Sequence, residues 1–131
     1  ALLAAADMLV CPSRIEPLGN QVLEAFSAGT PVVAAMADGP SWLLNQGARG
    51  ILVPVDSAIA LAAGMEGMLE NRSMAASFAA AGRACYERQF TSGAVVPQWR
   101  EFCASVAGDQ MVVNRQSSVV RIADEVLTTD S

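Results

Sequence analysis

Two carboxylates, Glu16 and Glu24, stand on either side of Pro17-Leu18-Gly19-Asn20 in the segment RIEPLGNQVLEAFSAGTPVV. After the turn, Val22, Leu23 and Phe26 recur at helical spacing, and Asn20 is the expected N-cap. A helix N-terminus beside a glycine is a ready anion site, because the dipole favours negative charge and no Cβ blocks approach. Two flanking glutamates make little sense for a bare phosphate. They suit a ligand that carries both phosphate and hydroxyls, since a carboxylate accepts hydrogen bonds from vicinal hydroxyl groups.

Composition narrows the chemistry further. The eight basic residues are all arginine, and neither lysine nor histidine occurs. This removes Ser-His-Asp and Cys-His relays, Schiff bases, a P-loop lysine and histidine metal sites from the stretch. Cys11, Cys85 and Cys103 lie far apart without a C-x-x-C, so they are read as buried thiols of a reducing cytoplasm rather than a disulfide framework or zinc site. A net charge of -5 argues against a nucleic-acid backbone as partner. Asp7 and Glu66 interrupt the apolar runs before they reach the roughly 18 to 20 residues of a membrane span.

The elements that must position the two glutamates follow from periodicity. DMLVCPS is a short apolar run closed by Pro12 and Ser13, the form of a buried parallel strand. The glutamate helix follows and ends at Gly29, which fits the left-handed position after the last turn. TPVVAAM predicts a second strand with Pro31 at its start, DGPSWLLNQG a short helix from Pro40 or Ser41, and GILVPV a third strand. This rhythm predicts an α/β, Rossmann-like parallel sheet of three strands followed by C-terminal helices. Ser57 and Ser73 are the expected caps of the first two of those helices. A third spans about 91 to 106 and carries Trp99 and Phe102 on one side. Residues 109–131 pattern weakly and are expected to be an extension, with Val119 to Leu127 helical. With 53% hydrophobic and 16% charged residues, the chain is expected to share apolar surface with a partner or with further chain.

In such a sheet ligands bind outside the carboxyl ends of the strands, where SRIEPLGN and MADGPS both fall. The order Glu16, seven residues, Glu24, then EAFSAG, PVVA and GILVP resembles the donor-binding half of the C-terminal domain of retaining GT-B glycosyltransferases of the family 4 kind. The resemblance runs with decreasing specificity to about Val106. It implies a partial nucleotide-sugar-binding domain over residues 1–108. Glu16, the catalytic candidate, would face the donor sugar's hydroxyls near the reacting carbon. Glu24 would accept from the ribose hydroxyls, and the backbone amides of Leu18, Gly19 and Asn20 would meet the sugar and diphosphate. The implied reaction transfers a sugar from a nucleoside-diphosphate-sugar donor with retention, without a cofactor and without a metal in the site. EPLGN resembles enzymes of bacterial surface polysaccharide or lipopolysaccharide synthesis, so the implied acceptor is a saccharide or lipid-linked one. The implied location is the cytoplasm, with the full-length protein peripheral to the inner membrane.

Other residues carry plainer expectations. Arg14 is read as solvated surface, Gly29 and Gly39 as backbone devices, Asp38 and Ser41 as loop residues, and Trp42 and Trp99 as core or interdomain packing. Trp42 stands where the resembling family commonly has a glutamate, so it cannot play a carboxylate's part. The chain opens at Ala1, and the family's Gly-rich loop, its Arg and Lys clamp and its N-terminal acceptor domain all precede the aligned segment. A fragment without transfer activity is therefore expected, with strand 8–11 left as an edge through which it would pair into a homo-oligomer. Two other readings stay open: a noncatalytic interaction module that keeps the fold, and a nucleotide-sugar epimerase of GT-B architecture. A dinucleotide oxidoreductase is disfavoured because no G-x-G-x-x-G follows a strand.

Overall fold

A computed structural model of the chain describes residues 2–107 and the backbone of residues 111–112 and 121–122. The element order is α1 (Leu2–Ala5), β1 (Leu9–Cys11), α2 (Asn20–Ala28), β2 (Val32–Ala35), α3 (Asp38–Leu43), β3 (Ile51–Val53), α4 (Ala58–Glu70), α5 (Arg72–Gln89) and α6 (Ser92–Ala107). The short strands β4 (Met111–Val112) and β5 (Arg121–Ile122) follow as an antiparallel pair. The chain divides into two compact units, the first ending at Thr91 and the second beginning at Ser92.

In the first unit the three strands pair in the order β1-β2-β3, all parallel, with Val10 opposite Val33 and Ala34 opposite Leu52. Every residue of β2 is buried. Strand side chains alternate between faces, so Val32 and Ala34 pack with Val22, Phe26, Leu43 and Cys85, whereas Val33 packs with Val53, Met68 and Ala75. Helices α2, α3 and α5 thus supply one apolar layer, and α4 with the start of α5 supplies the other. That is why the strands read as continuous apolar runs rather than as alternating ones.

Local signals decide where the helices begin and end. Gly29 closes α2 in the left-handed conformation, φ 69°, as expected of a glycine after a last turn. At the other end of α2, the capping residue is Gly19 and Asn20 is already helical, contrary to the sequence expectation. A left-handed N-cap at φ 86° needs the residue without a Cβ, which outweighs the side-chain cap that asparagine offers. Ser57 caps α4, its hydroxyl accepting from the Ala60 amide at 3.2 Å. The cap of α5 is Asn71, whose Oδ1 accepts from the Met74 amide at 2.9 Å, so Ser73 sits inside the first turn instead of before it. Helix α3 begins at Asp38, two or three residues earlier than expected.

Several surface expectations also change. Cys11 and Cys85 are buried, but Cys103 is only half-buried. Trp42 and Trp99 are not core residues; each is 61% exposed. Each instead makes one edge-on aromatic contact, Trp42 with Phe90 at 6.1 Å and Trp99 with Phe102 at 5.9 Å. The helix expected over Val119 to Leu127 lies mostly outside the described residues, and the two that are described, Arg121–Ile122, form a strand. Among the described residues no helix is long and apolar enough to cross a membrane.

Helices α2 and α5 approach closely at Gly82. A Cβ built there would lie 2.5 Å from Phe26 Cδ1, and Phe26 is itself only 1% exposed. Gly82→Ala is expected to destabilise the first unit by about 1–3 kcal/mol, read as a lower urea midpoint at unchanged slope. Strand β1 pairs only with β2 among the described residues, so its outer edge presents unpaired backbone groups. The isolated chain is expected to self-associate with rising concentration in sedimentation velocity; a single monomer species at the highest attainable concentration would count against pairing through that edge.

Candidate functional site

The loop from Pro12 to Gly19 leaves the carboxyl end of β1 and delivers the chain to the N-terminus of α2. Its central interaction is internal. Glu16 Oε1 accepts a hydrogen bond from the Gly19 amide at 3.0 Å, while the Gly19 carbonyl accepts from Val22 and Leu23 at 2.9 and 3.2 Å. Gly19 therefore closes the loop with its amide and starts the helix with its carbonyl. The half-buried Glu16 carboxylate is held at the positive end of α2, where the first-turn amides lack intrahelical partners.

The other expected residues lie on the same loop and helix. Leu18 is 47% exposed, Asn20 is exposed in the first helical position, and Glu24 is exposed one turn further along α2. Both carboxylates thus belong to one rigid segment that starts at a strand end. The Gly19 amide is already engaged by Glu16, a contact that residue types alone do not disclose. Reach of three residues is enough for it, so the spacing Glu-x-x-Gly was its one sequence signal.

Beneath this loop sits the start of α3. The Gly39 amide donates to the Glu16 carbonyl at 2.8 Å, and a Cβ on Gly39 would fall 2.4 Å from the Leu18 carbonyl carbon. Gly39 and Pro40 are buried, whereas Asp38 is exposed and Ser41 half-buried. The expectation of a backbone device at Gly39 holds, and its counterpart is the glutamate loop itself.

Arg14 is largely exposed, as expected, but it has a partner: its guanidinium is ion-paired with Asp56, in the loop after β3. Both residues help to line an open crevice of about 310 Å³, together with Pro12, Ala35, Val53, Pro54 and Ser57. Ala35 and Val53 are the last residues of β2 and β3, and Pro12 directly follows β1. Trp42 lies on α3, and its ring meets that of Phe90, the residue that caps α5, in a T-shaped contact. Among the described residues no group of three or more histidine, cysteine, aspartate or glutamate side chains is arranged to hold a metal ion.

Comparison with known proteins places this geometry. The profile of the family described as glycosyl transferases group 1 matches residues 1–84. The lipopolysaccharide core biosynthesis glycosyltransferase LpsE of Rhizobium meliloti is 34% identical over 103 residues, covering 79% of this chain and 30% of the relative. The phosphatidyl-myo-inositol mannosyltransferase of Mycobacterium tuberculosis is 37% identical over 108 residues, covering 79% of this chain and 28% of the relative. Among solved structures, Anabaena HepE in complex with UDP superposes with a TM-score of 0.75 at 30% identity, over 79% of this chain and 29% of that one. HepE has also been solved with UDP-glucose. The chain spans about 30% of the length of the relatives it matches. The three-stranded parallel sheet with its helices is the α/β fold class read from the sequence, and it matches that of GT-B glycosyltransferases of known structure.

Gly19 combines φ 86° with a position 3.2 Å from Leu43 Cδ1 for any added Cβ. Gly19→Ala is expected to cost about 1–3 kcal/mol through the left-handed backbone and the crowding. Chemical denaturation of the purified variant checks this, and an unchanged midpoint would show that the loop can relax into another conformation.

Proposed function

The chain belongs to the glycosyl transferases of group 1, and on that premise we propose that it forms donor-binding machinery of a retaining enzyme using a nucleoside-diphosphate sugar. Residues 1–108 carry this role, and 109–131 are an extension to it. The observation that carries the reading is the Glu16 carboxylate, fixed by the Gly19 amide at the N-terminus of α2 and at the carboxyl end of the sheet. One oxygen is engaged by the amide, and the other lone pairs of the carboxylate remain acceptors for sugar hydroxyls near the reacting carbon. Glu24, one segment along on the exposed face, accepts from the ribose hydroxyls.

In the reaction the bond between the anomeric carbon and the diphosphate oxygen breaks, and the acceptor oxygen bonds to that carbon on the same face. The acceptor proton passes to the departing diphosphate. Charge builds on the diphosphate, and the Asn20 amide faces it with the dipole of α2 behind it, while the Leu18 amide meets the sugar and the Gly19 amide stays with Glu16. Arg14 is already paired with Asp56, so further positive charge for the diphosphate is assigned to the part of the relatives that this chain does not span. No resident metal or cofactor enters the scheme.

The name of the HepE complexes supports a nucleoside-diphosphate sugar as donor, with a uracil base as one candidate. The names of the Rhizobium and Mycobacterium relatives support a saccharide or lipid-linked acceptor, and lipopolysaccharide or a related surface glycan as the product class. A cytoplasmic location, peripheral to the membrane that holds such acceptors, completes the proposal.

In the complete gene product that contains this chain, Glu24→Ala is expected to weaken nucleoside-diphosphate binding about 10- to 100-fold, the range for hydrogen bonds to a charged group. Calorimetric titration with UDP, GDP and ADP reads this directly. Unchanged affinity for all three would remove the ribose role of Glu24 and with it the donor-site reading.

A further inference from the structure

The loop that presents Glu16 does not stand alone. It is seated on α3, and the closest approach is at Gly39. The Gly39 amide donates to the Glu16 carbonyl at 2.8 Å, and the space that a Gly39 Cβ would occupy is filled by the Leu18 carbonyl group, 2.4 Å from its carbon and 2.5 Å from its oxygen. The Glu16 carbonyl oxygen would be 2.7 Å from the same Cβ. These are backbone atoms on both sides, so no side-chain rotation relieves the overlap.

The next peptide along completes the linkage. The Leu18 carbonyl belongs to the peptide group whose nitrogen is the Gly19 amide, and that amide holds Glu16 Oε1 at 3.0 Å. Displacing the Leu18 carbonyl therefore rotates the donor that orients the carboxylate. Gly19 also rests against α3, with Pro40 and Leu43 within 3.6 Å of its missing Cβ, so the loop can yield only by lifting away from α3 and giving up the bond from the Gly39 amide to the Glu16 carbonyl. From these contacts we propose that Gly39 is a positioning residue: through Leu18 and Gly19 it sets the orientation of the Glu16 carboxylate. The MADGPS segment thereby serves the site without touching the ligand.

This inference rests on the donor-site reading of Glu16, and it separates from that reading in one respect. It assigns Gly39 to the sugar end of the donor and not to the nucleotide end, because Glu24 lies on α2, downstream of the peptide that Gly39 seats. Misplacing a positioned group by about 1 Å is enough for a large loss of function, so the effect should be specific as well as sizeable.

The experiment compares Gly39→Ala with Gly82→Ala in the complete gene product that contains this chain. Gly82→Ala overpacks the core against Phe26 and leaves the loop alone, so it controls for lost stability. A panel of UDP-, GDP- and ADP-sugars first identifies the nucleotide sugar that wild type binds, and absence of binding to all of them would sink the donor reading itself. With that donor and its matching nucleoside diphosphate, Gly39→Ala is expected to raise the Kd of the nucleotide sugar at least tenfold and that of the diphosphate less than threefold. Gly82→Ala is expected to leave both within twofold while lowering the melting temperature. Equal losses for sugar and diphosphate in Gly39→Ala, or no loss, would overturn the positioning role while leaving the donor reading intact. Should Gly39→Ala fail to fold, amide hydrogen exchange of the wild-type protein decides. The Gly19 and Gly39 amides should slow together when the nucleotide sugar binds, and slowing at Gly19 with Gly39 unchanged would overturn the proposal.

Discussion

The complete burial of β2 is the constraint from which the rest of the first unit follows. A central parallel strand with apolar side chains on both faces requires a helix layer on each side, and parallel neighbours require crossovers long enough to provide one. Helices α2 and α3 are those crossovers, and α4 covers the opposite face. Once they are in place, the exits of the strands lie together at one end, and the chemistry-bearing loops have nowhere else to be. The site is a consequence of covering a strand.

At that end the dominant physics is local and backbone-based. A carboxylate is held by a backbone amide, a left-handed glycine turns the chain into α2, and a second glycine lets the α3 backbone come within hydrogen-bond distance of the loop. Such contacts cost little conformational freedom once made, because each partner is already part of a rigid element. The ion pair between Arg14 and Asp56 is different in kind. Both side chains are more than half exposed, so solvent and salt weaken their attraction, and its place in the structure is to bridge two strand exits more than to stabilise the fold.

The sequence and the structure part company where two weak signals compete. At the start of α2, asparagine offered a side-chain cap and glycine offered a left-handed backbone, and the tight return of the loop selected the glycine. At the start of α5, Asn71 took the cap that Ser73 was expected to supply, because α4 ends one residue earlier and leaves no linker between them. The two tryptophans illustrate another limit. Size and apolarity favour burial, but both rings are mostly exposed and are satisfied by one aromatic edge each.

What the sequence by itself determined is the order of elements as far as α6, the parallel sheet and the placing of Glu16, Gly19 and Glu24 on one strand-to-helix segment. Those features are written in periodicity, in turn residues and in spacings shorter than ten residues, all of which act through local backbone preference and hydrophobic patterning. Only the tertiary structure decided what supports that segment. The seating of Gly39 under Leu18, the bridge from Arg14 to Asp56 and the closeness of Gly82 to Phe26 join residues 21 to 56 positions apart. A glycine in a sequence says that a Cβ is absent, and not which distant atoms fill its place; that depends on how helices and strands pack in three dimensions.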